Sequence, residues 1–157
     1  MSLAGAIATL GGLGRAPRAP GTIASFVTLV AAWFLAGIGG QGLVLFASIA
    51  AMAIGGWAAE HYARERATAD PPDCVIDEMA GQFLACAFAP RALLAYALAF
   101  LLFRALDIFK PWPIGAAEKF HGGIGIVADD AVAGLLAGFA IVLLVQVFPP
   151  SFWGWSG

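Results

Sequence analysis

The chain has 157 residues, of which 61% are hydrophobic and only 11% are charged, and its mean hydropathy is +0.88. Because an ordinary soluble domain carries about 25% charged residues, this composition excludes a typical soluble fold and predicts one integral membrane domain over residues 1–157. The net charge of −2 argues against nucleic acid as a partner, and two cysteines are too few for a disulfide framework or a thiolate metal site. Nothing in the sequence indicates a protein partner.

The first part of the chain predicts an interfacial segment followed by two apolar helices. Residues 1–14 are too short and glycine-rich to span a bilayer, so we expect an interfacial or re-entrant helix there. A proline-stiffened loop follows, in which Thr22 is expected to cap the next helix. Residues 22–38 and 43–59 are uncharged, and each is near the roughly 20 residues that a span requires.

An acidic pair precedes the third apolar helix, which is expected to end near Pro90. Asp77 and Glu78 follow the turn that contains Asp70. One acidic residue is enough to cap a helix and to favour its dipole, so two adjacent carboxylates shortly before Gly81 favour a metal site. Asp70 is a weaker candidate, because turns use aspartate routinely.

Charged residues are concentrated at the end of the fourth apolar helix, which is expected over residues 91–108. Arg104, Asp107 and Lys110 are spaced three apart, so their side chains fan across one broad face of a helix. The helix is expected to end there, because Pro111 cannot donate a backbone hydrogen bond and restricts the residue before it. The alternative for Arg104 and Asp107 is an ion pair at the membrane interface.

A glycine-rich turn that begins at His121 precedes the fifth apolar helix, which is expected over residues 129–148. Such a turn can bring the backbone close to a ligand. Asp129 and Asp130 are predicted to lie at, or just inside, the start of that last helix.

The predicted fold is an all-α, polytopic helical membrane protein with about five spans, short interfacial helices and an active site at the cytoplasmic face. The positive-inside rule sets this orientation, because one side of the membrane would hold six cations and the other side only Arg91. The six are Arg15, Arg18, Arg64, Arg66, Lys110 and Lys119. With five spans, the C-terminus would lie outside.

The charged residues on that side predict a site for phosphate and a metal ion. Magnesium prefers hard oxygen ligands and usually combines protein carboxylates with substrate phosphates. Arg104 would present a planar fork to phosphate oxygens, Lys110 would add a point charge, and His121 would protonate a departing oxygen. The predicted metal ligands are Asp77, Glu78, Asp107, Asp129 and Asp130.

Two other classes of protein remain open from the residues: a small cation-coupled transporter and a lipid-linked phosphotransferase with a paired-aspartate metal site. A transporter is expected to place acidic residues at mid-membrane, often on broken helices, whereas these residues cluster at one face. The Asp-Gly…Ala-Arg…Gly…Asp…Asp pattern of the phosphotransferase family is missing.

Four motifs along the chain resemble those of the phosphatidylglycerophosphatase A family. They are Ala19-Pro20-Gly21-Thr22, Val75-Ile76-Asp77-Glu78, the RxxDxxKPWP run from Arg104 and the HGGxGIxxDDxxAG run from His121. The resemblance spans nearly the whole chain. It implies a multi-pass enzyme of the bacterial cytoplasmic (inner) membrane that uses Mg²⁺ to remove the terminal phosphate from phosphatidylglycerol phosphate.

The motifs also assign roles to individual residues. The expected substrate-binding residues are Arg18, Thr22, Arg104 and Lys110. The expected catalytic residues are Asp77, Asp129, Asp130 and His121.

Overall fold

A computed structural model of the protein describes residues 1–117 and 122–154, and every regular element in those two ranges is helical. The prediction of an all-α fold is therefore confirmed. Lys119 and His121 lie outside the described residues. The α-helices are α1 (Leu3–Ala8), α2 (Pro20–Arg66), α3 (Ile76–Ala87), α4 (Leu93–Phe109), α5 (Ile114–Ala117) and α6 (Gly123–Val147), with 3₁₀ turns at Leu10–Arg15 and Pro150–Trp153.

Helix α2 is broken into two arms at Gly39 and Gly40, where the sequence predicted a link between two helices. Gly40 has a φ of +66°, a conformation that glycine adopts without steric cost. The first arm comprises residues 20–38 and the second arm residues 41–66. They are antiparallel, because the first arm follows the direction of α3 and the second arm runs against it.

The contacts of α3 establish these directions. On the first arm, Gly21 lies against Glu78 at the start of α3. On the second arm, Gln41 Nε2 donates to Ala89 O beyond the end of α3, at 3.2 Å. Further along that arm, Ser48 Oγ donates to Ala80 O at 2.9 Å.

Helices α4 and α6 complete the bundle around α3. Helix α4 is antiparallel to the first arm, since Phe26 contacts Phe100 and Trp33 contacts Tyr96 through edge-to-face rings. Helix α6 lies beside α3 and has the same direction. The beginnings of α3 and α6 and the end of α4 therefore meet at one end of the bundle, which we call the acidic end.

The bundle has small residues inside and large apolar residues outside. Alanines such as Ala24, Ala32 and Ala58 are fully buried, which lets helices approach closely, as in membrane proteins. The large side chains that point outward include Phe34, Phe46, Leu101 and Phe139, which are 59–67% exposed. Because a soluble monomer rarely exposes apolar patches on this scale, this exterior supports membrane association.

In the part of the chain that the structure describes, two helices, α2 and α6, are long and apolar enough to cross a bilayer. Most of the apolar stretch of each lies on the surface of the protein, with only 28% and 33% of it buried. At 1.5 Å per residue, α3 is about 18 Å long and α4 about 26 Å, against a hydrocarbon core of about 30 Å. The prediction of about five spans is not confirmed.

Two predicted helix starts are wrong. Helix α2 begins at Pro20, after Ala19 in the left-handed conformation, and no side chain caps it, so Thr22 lies inside the first turn. Helix α6 begins at Gly123 rather than near Asp129, because the glycines before the acidic pair continue the helix once it packs against the second arm. Asp129 and Asp130 therefore lie in its second turn.

Candidate active site

A cavity of about 530 Å³ opens at the acidic end of the bundle. The loop before α3 forms one wall, and the beginnings of α3 and α6 and the end of α4 form the others. The ionisable residues that line it are Asp70, Cys74, Asp77, Glu78, Asp107, Lys110, Asp129 and Asp130. All five carboxylates that the sequence predicted as metal ligands thus face one cavity.

Three of these carboxylates form a compact cluster. Asp77, Glu78 and Asp130 each place an oxygen within 4.8 Å of the others. Asp77 Oδ1 and Glu78 Oε2 are buried and have no hydrogen-bond partner among residues 1–117 and 122–154. Buried carboxylate oxygens without a donor are costly, and oxygen donors are the ligands that magnesium prefers. This cluster therefore fits a bound magnesium ion.

The cluster depends on the close crossing of α3 and α6. A Cβ atom added to Gly81 would lie 2.5 Å from Asp130 O, and one added to Gly134 would clash with Gly81 O. Only glycine at both positions allows the two backbones to approach this closely. The crossing brings the acidic pair of α3 beside Asp130 of α6.

The remaining two predicted metal ligands are paired with cations. Lys110 Nζ donates to Asp129 Oδ2 at 2.7 Å. Arg104 Nη1 donates to Asp107 Oδ2 and lies 3.9 Å from Glu78 Oε1. Arg104 Nε is buried and has no acceptor in the described residues. Two cations thus lie beside the carboxylates: Lys110 lines the cavity, whereas Arg104 contacts Glu78 and Asp107 without lining it.

The pKa values of the acidic pair, Asp77 and Glu78, are raised because both carboxylates are buried. Burial, and then the charge of Glu78, raises the pKa of Asp77 well above its usual range. Burial likewise raises the pKa of Glu78. These shifts have the direction expected for buried carboxylates that lie close together, and the neighbouring Arg104 guanidinium opposes the rise in the pKa of Glu78. Burial also raises the pKa of Cys74 to about 12, which favours the protonated thiol at neutral pH.

Of the four predicted substrate-binding residues, only Lys110 lines the cavity; Arg104 does not, and the other two lie away from its wall. Arg18 is exposed, and Thr22 is half-buried in the first turn of α2. Neither lines the cavity. Between them, Gly21 packs against the Glu78 carboxylate, and an added Cβ would also lie 3.3 Å from Arg104 Nη1. Because Gly21 has no side chain, the Pro-Gly-Thr motif packs directly against the Glu78 carboxylate at the site.

One contact near the site could not be predicted from the sequence. Glu60, at the end of the second arm, accepts a hydrogen bond from the backbone N–H of Gly123. A carboxylate at the start of a helix is stabilised by its free N–H groups and its dipole. Because 63 residues separate the partners, no local motif could reveal that Glu60 anchors the start of α6.

The site combines carboxylate oxygens suited to a hard metal ion with two flanking cations, at one end of an apolar helical bundle. This combination is typical of a membrane-associated enzyme that acts on a phosphate. A transporter that moves a cation is not favoured, because the acidic residues lie at the end of the bundle rather than halfway along it.

Comparison with known proteins identifies the family. Residues 6–145 match the family model described as Phosphatidylglycerophosphatase A. Phosphatidylglycerophosphatase A of Escherichia coli (strain K12) is 29% identical over 140 residues, which cover 88% of this chain and 81% of that protein. The protein of the same name from Haemophilus influenzae is 31% identical over 144 residues, covering 90% and 85%. The chain belongs to the phosphatidylglycerophosphatase A family.

A third relative matches over a shorter stretch. A putative phosphatidylinositol-3-phosphatase of Bacteroides thetaiotaomicron is 39% identical over 69 residues, which cover 42% of this chain and 43% of that protein. No solved structure matches the chain.

Proposed function

We propose that this protein is a phosphatidylglycerophosphatase of a bacterial membrane that hydrolyses phosphatidylglycerol phosphate to phosphatidylglycerol and inorganic phosphate. The observation that carries the proposal is the cluster of Asp77, Glu78 and Asp130, flanked by Arg104 and Lys110, in a chain of this family. Water supplies the oxygen that joins phosphorus, the ester bond to the glycerol oxygen breaks, and that oxygen takes up a proton.

Magnesium would be held by Asp77, Glu78 and Asp130. When bound, the ion would neutralise phosphate charge and make a nearby water more acidic. One buried oxygen of each carboxylate in the acidic pair, Asp77 Oδ1 and Glu78 Oε2, has no hydrogen-bond donor among the described residues. This supports the assignment. Asp107 and Asp129 already have cationic partners. We therefore assign them to positioning Arg104 and Lys110 rather than to coordinating the magnesium ion.

Arg104 and Lys110 would bind the phosphate. Arg104 Nε is an unpartnered buried donor, and its guanidinium fork suits two phosphate oxygens. Lys110 lies at the cavity wall and adds a point charge. Besides positioning Lys110, Asp129 would accept the proton released from the attacking water. The role of His121 as proton donor stays a prediction.

The apolar exterior supports a multi-pass arrangement in which the two arms of α2 and helix α6 cross the bilayer. The cations near the acidic end, Arg15, Arg18, Arg64 and Arg66, favour the cytoplasm for that end. The cavity would then receive a lipid headgroup from the cytoplasmic leaflet.

Release of phosphate from purified protein in mixed micelles tests this function. We expect hydrolysis of phosphatidylglycerol phosphate that is abolished by chelation and restored by magnesium. Asp130→Asn should lower kcat/KM about a hundredfold or more while the protein stays monodisperse. Glu65→Gln is the matched control, because Glu65 is exposed and accepts only from Ser2 Oγ among the described residues. Full activity after exhaustive chelation, or in Asp130→Asn, would refute the assignment.

A further inference from the structure

Among the described residues, a single basic side chain marks the end of the bundle opposite the acidic end. Arg91 precedes α4 and is exposed. Its Nε donates to Trp33 O at 3.1 Å, and its guanidinium carbon lies 4.5 Å from the centre of the Trp33 ring. These two contacts fix the guanidinium over the first arm of α2. No carboxylate within the described ranges forms an ion pair with it, and residues 22–59, 79–90, 92–103 and 131–157 contain no charged side chain.

An apolar groove begins beside this arginine. It has a volume of about 420 Å³ and lies between the first arm of α2 and α4, lined by Leu29, Val30, Trp33, Leu93, Tyr96 and Ala97. Trp33 belongs to both features, because its ring lines the groove and also contacts the Arg91 guanidinium. Two lining residues also contact each other, since the rings of Trp33 and Tyr96 pack edge to face with centres 5.2 Å apart.

The chemistry of these two features matches a phospholipid with a net negative charge. The Arg91 amino groups form no hydrogen bond with described residues, so the planar fork is available to phosphate oxygens. The groove offers only apolar contacts to an acyl chain. A zwitterionic headgroup would bring its own cation, which would compete for the phosphate and find no carboxylate at this end. An anionic headgroup keeps a net negative charge for the guanidinium, and in phosphatidylserine the headgroup's own carboxylate pairs with its ammonium.

We propose that Arg91 and this groove bind one anionic phospholipid, with its phosphodiester on the guanidinium and one acyl chain between the first arm and α4. The site is separate from the cavity, since α4, about 26 Å long, lies between them. It holds no carboxylate cluster, so the lipid there would be bound and not hydrolysed. In a bilayer it would come from the leaflet opposite the one that supplies the cavity.

A second apolar groove provides an internal reference. It has a volume of about 330 Å³ and lies between the second arm of α2 and α6, where Ala53, Trp57 and Ile124 are among the lining residues. The described residues that line it include no cation. Acyl chains that merely surround the protein should contact both grooves without regard to headgroup.

Photo-crosslinking in nanodiscs tests the proposal. The probes are phosphatidylserine and phosphatidylcholine with the same diazirine-bearing acyl chain, and mass spectrometry locates the crosslinks. We expect the serine-to-choline labelling ratio at the Arg91 groove to exceed that at the second groove about fivefold, the factor that one basic residue near an anionic lipid surface typically gives. Arg91→Gln should make the two ratios equal while labelling of the second groove is retained.

Two further outcomes decide the proposal. Ala97→Phe, which fills the groove and leaves Arg91 in place, should reduce labelling of residues 29–33 and 93–97 to background. Equal ratios at both grooves in the wild-type protein, an unchanged ratio in Arg91→Gln, or wild-type labelling in Ala97→Phe would each overturn the site. Arg15→Gln, at the acidic end, is the charge-matched control and should leave the ratio at the Arg91 groove unchanged.

Discussion

Gly81→Ala should separate the two halves of the acidic cluster by adding one carbon atom. The new Cβ would lie 2.5 Å from Asp130 O and 2.5 Å from Phe103 Cε2, whereas ordinary contacts are 3.4–4 Å. Because the first neighbour is backbone and the interior is closely packed, α3 must move from α6 by about 1 Å. The oxygens of Asp77 and Glu78 move with α3, while that of Asp130 stays with α6.

The expected cost has two parts. Overpacking of this kind typically lowers the free energy of unfolding by about 1–3 kcal/mol. A displacement of about 1 Å among reacting groups can lower kcat about a hundredfold, and we expect the magnesium concentration for half-maximal activity to rise as well. Phosphate release measured against magnesium concentration reports kcat and the magnesium concentration for half-maximal activity. Size-exclusion chromatography in detergent shows whether the protein remains folded.

Gly42→Ala is the matched control for this change. Gly42 lies in the second arm of α2, and an added Cβ would meet no atom within 4 Å. Replacing a helical glycine with alanine in open space is expected to leave activity unchanged and to stabilise the helix by about 0.5–1 kcal/mol. If Gly81→Ala kept the kcat and the magnesium dependence of the wild type, the spacing of α3 and α6 would not set the geometry of the site.

Three further predictions concern the phosphate contact, the thiol and the orientation. Arg104→Lys keeps the charge but loses the planar fork, so losing one charged hydrogen bond of about 1.5–3 kcal/mol should lower kcat/KM roughly ten- to a hundredfold; wild-type kinetics would show that Arg104 is structural. Cys74 is 5% exposed with its pKa raised to about 12, so maleimide should label it at pH 7 only after denaturation; rapid labelling of native protein would contradict its burial. An impermeant maleimide should label the exposed position of Thr68→Cys in inverted vesicles and not in intact cells, and the opposite result would reverse the orientation.

The sequence was sufficient for the fold class, the family and the identity of the acidic residues. Apolar helices without charge, a break at Gly39 and Gly40, and a stop at Pro111 are local properties that composition and backbone chemistry decide. The predicted start of α6 near Asp129 was wrong because it rested on such local preferences alone. Glycine-rich sequence normally indicates a turn, and the contact of Glu60 with the Gly123 N–H overrides that preference.

The tertiary structure alone decided which charged groups meet. Asp129 and Asp130 are adjacent in the chain, but successive residues on a helix point about 100° apart, so Asp129 pairs with Lys110 and Asp130 joins the acidic pair of α3. Their partners lie 19 residues away or more, on other helices. Sequence determines the chemical groups that are available, whereas the close crossing of α3 and α6 at Gly81 and Gly134 determines which of them share one volume.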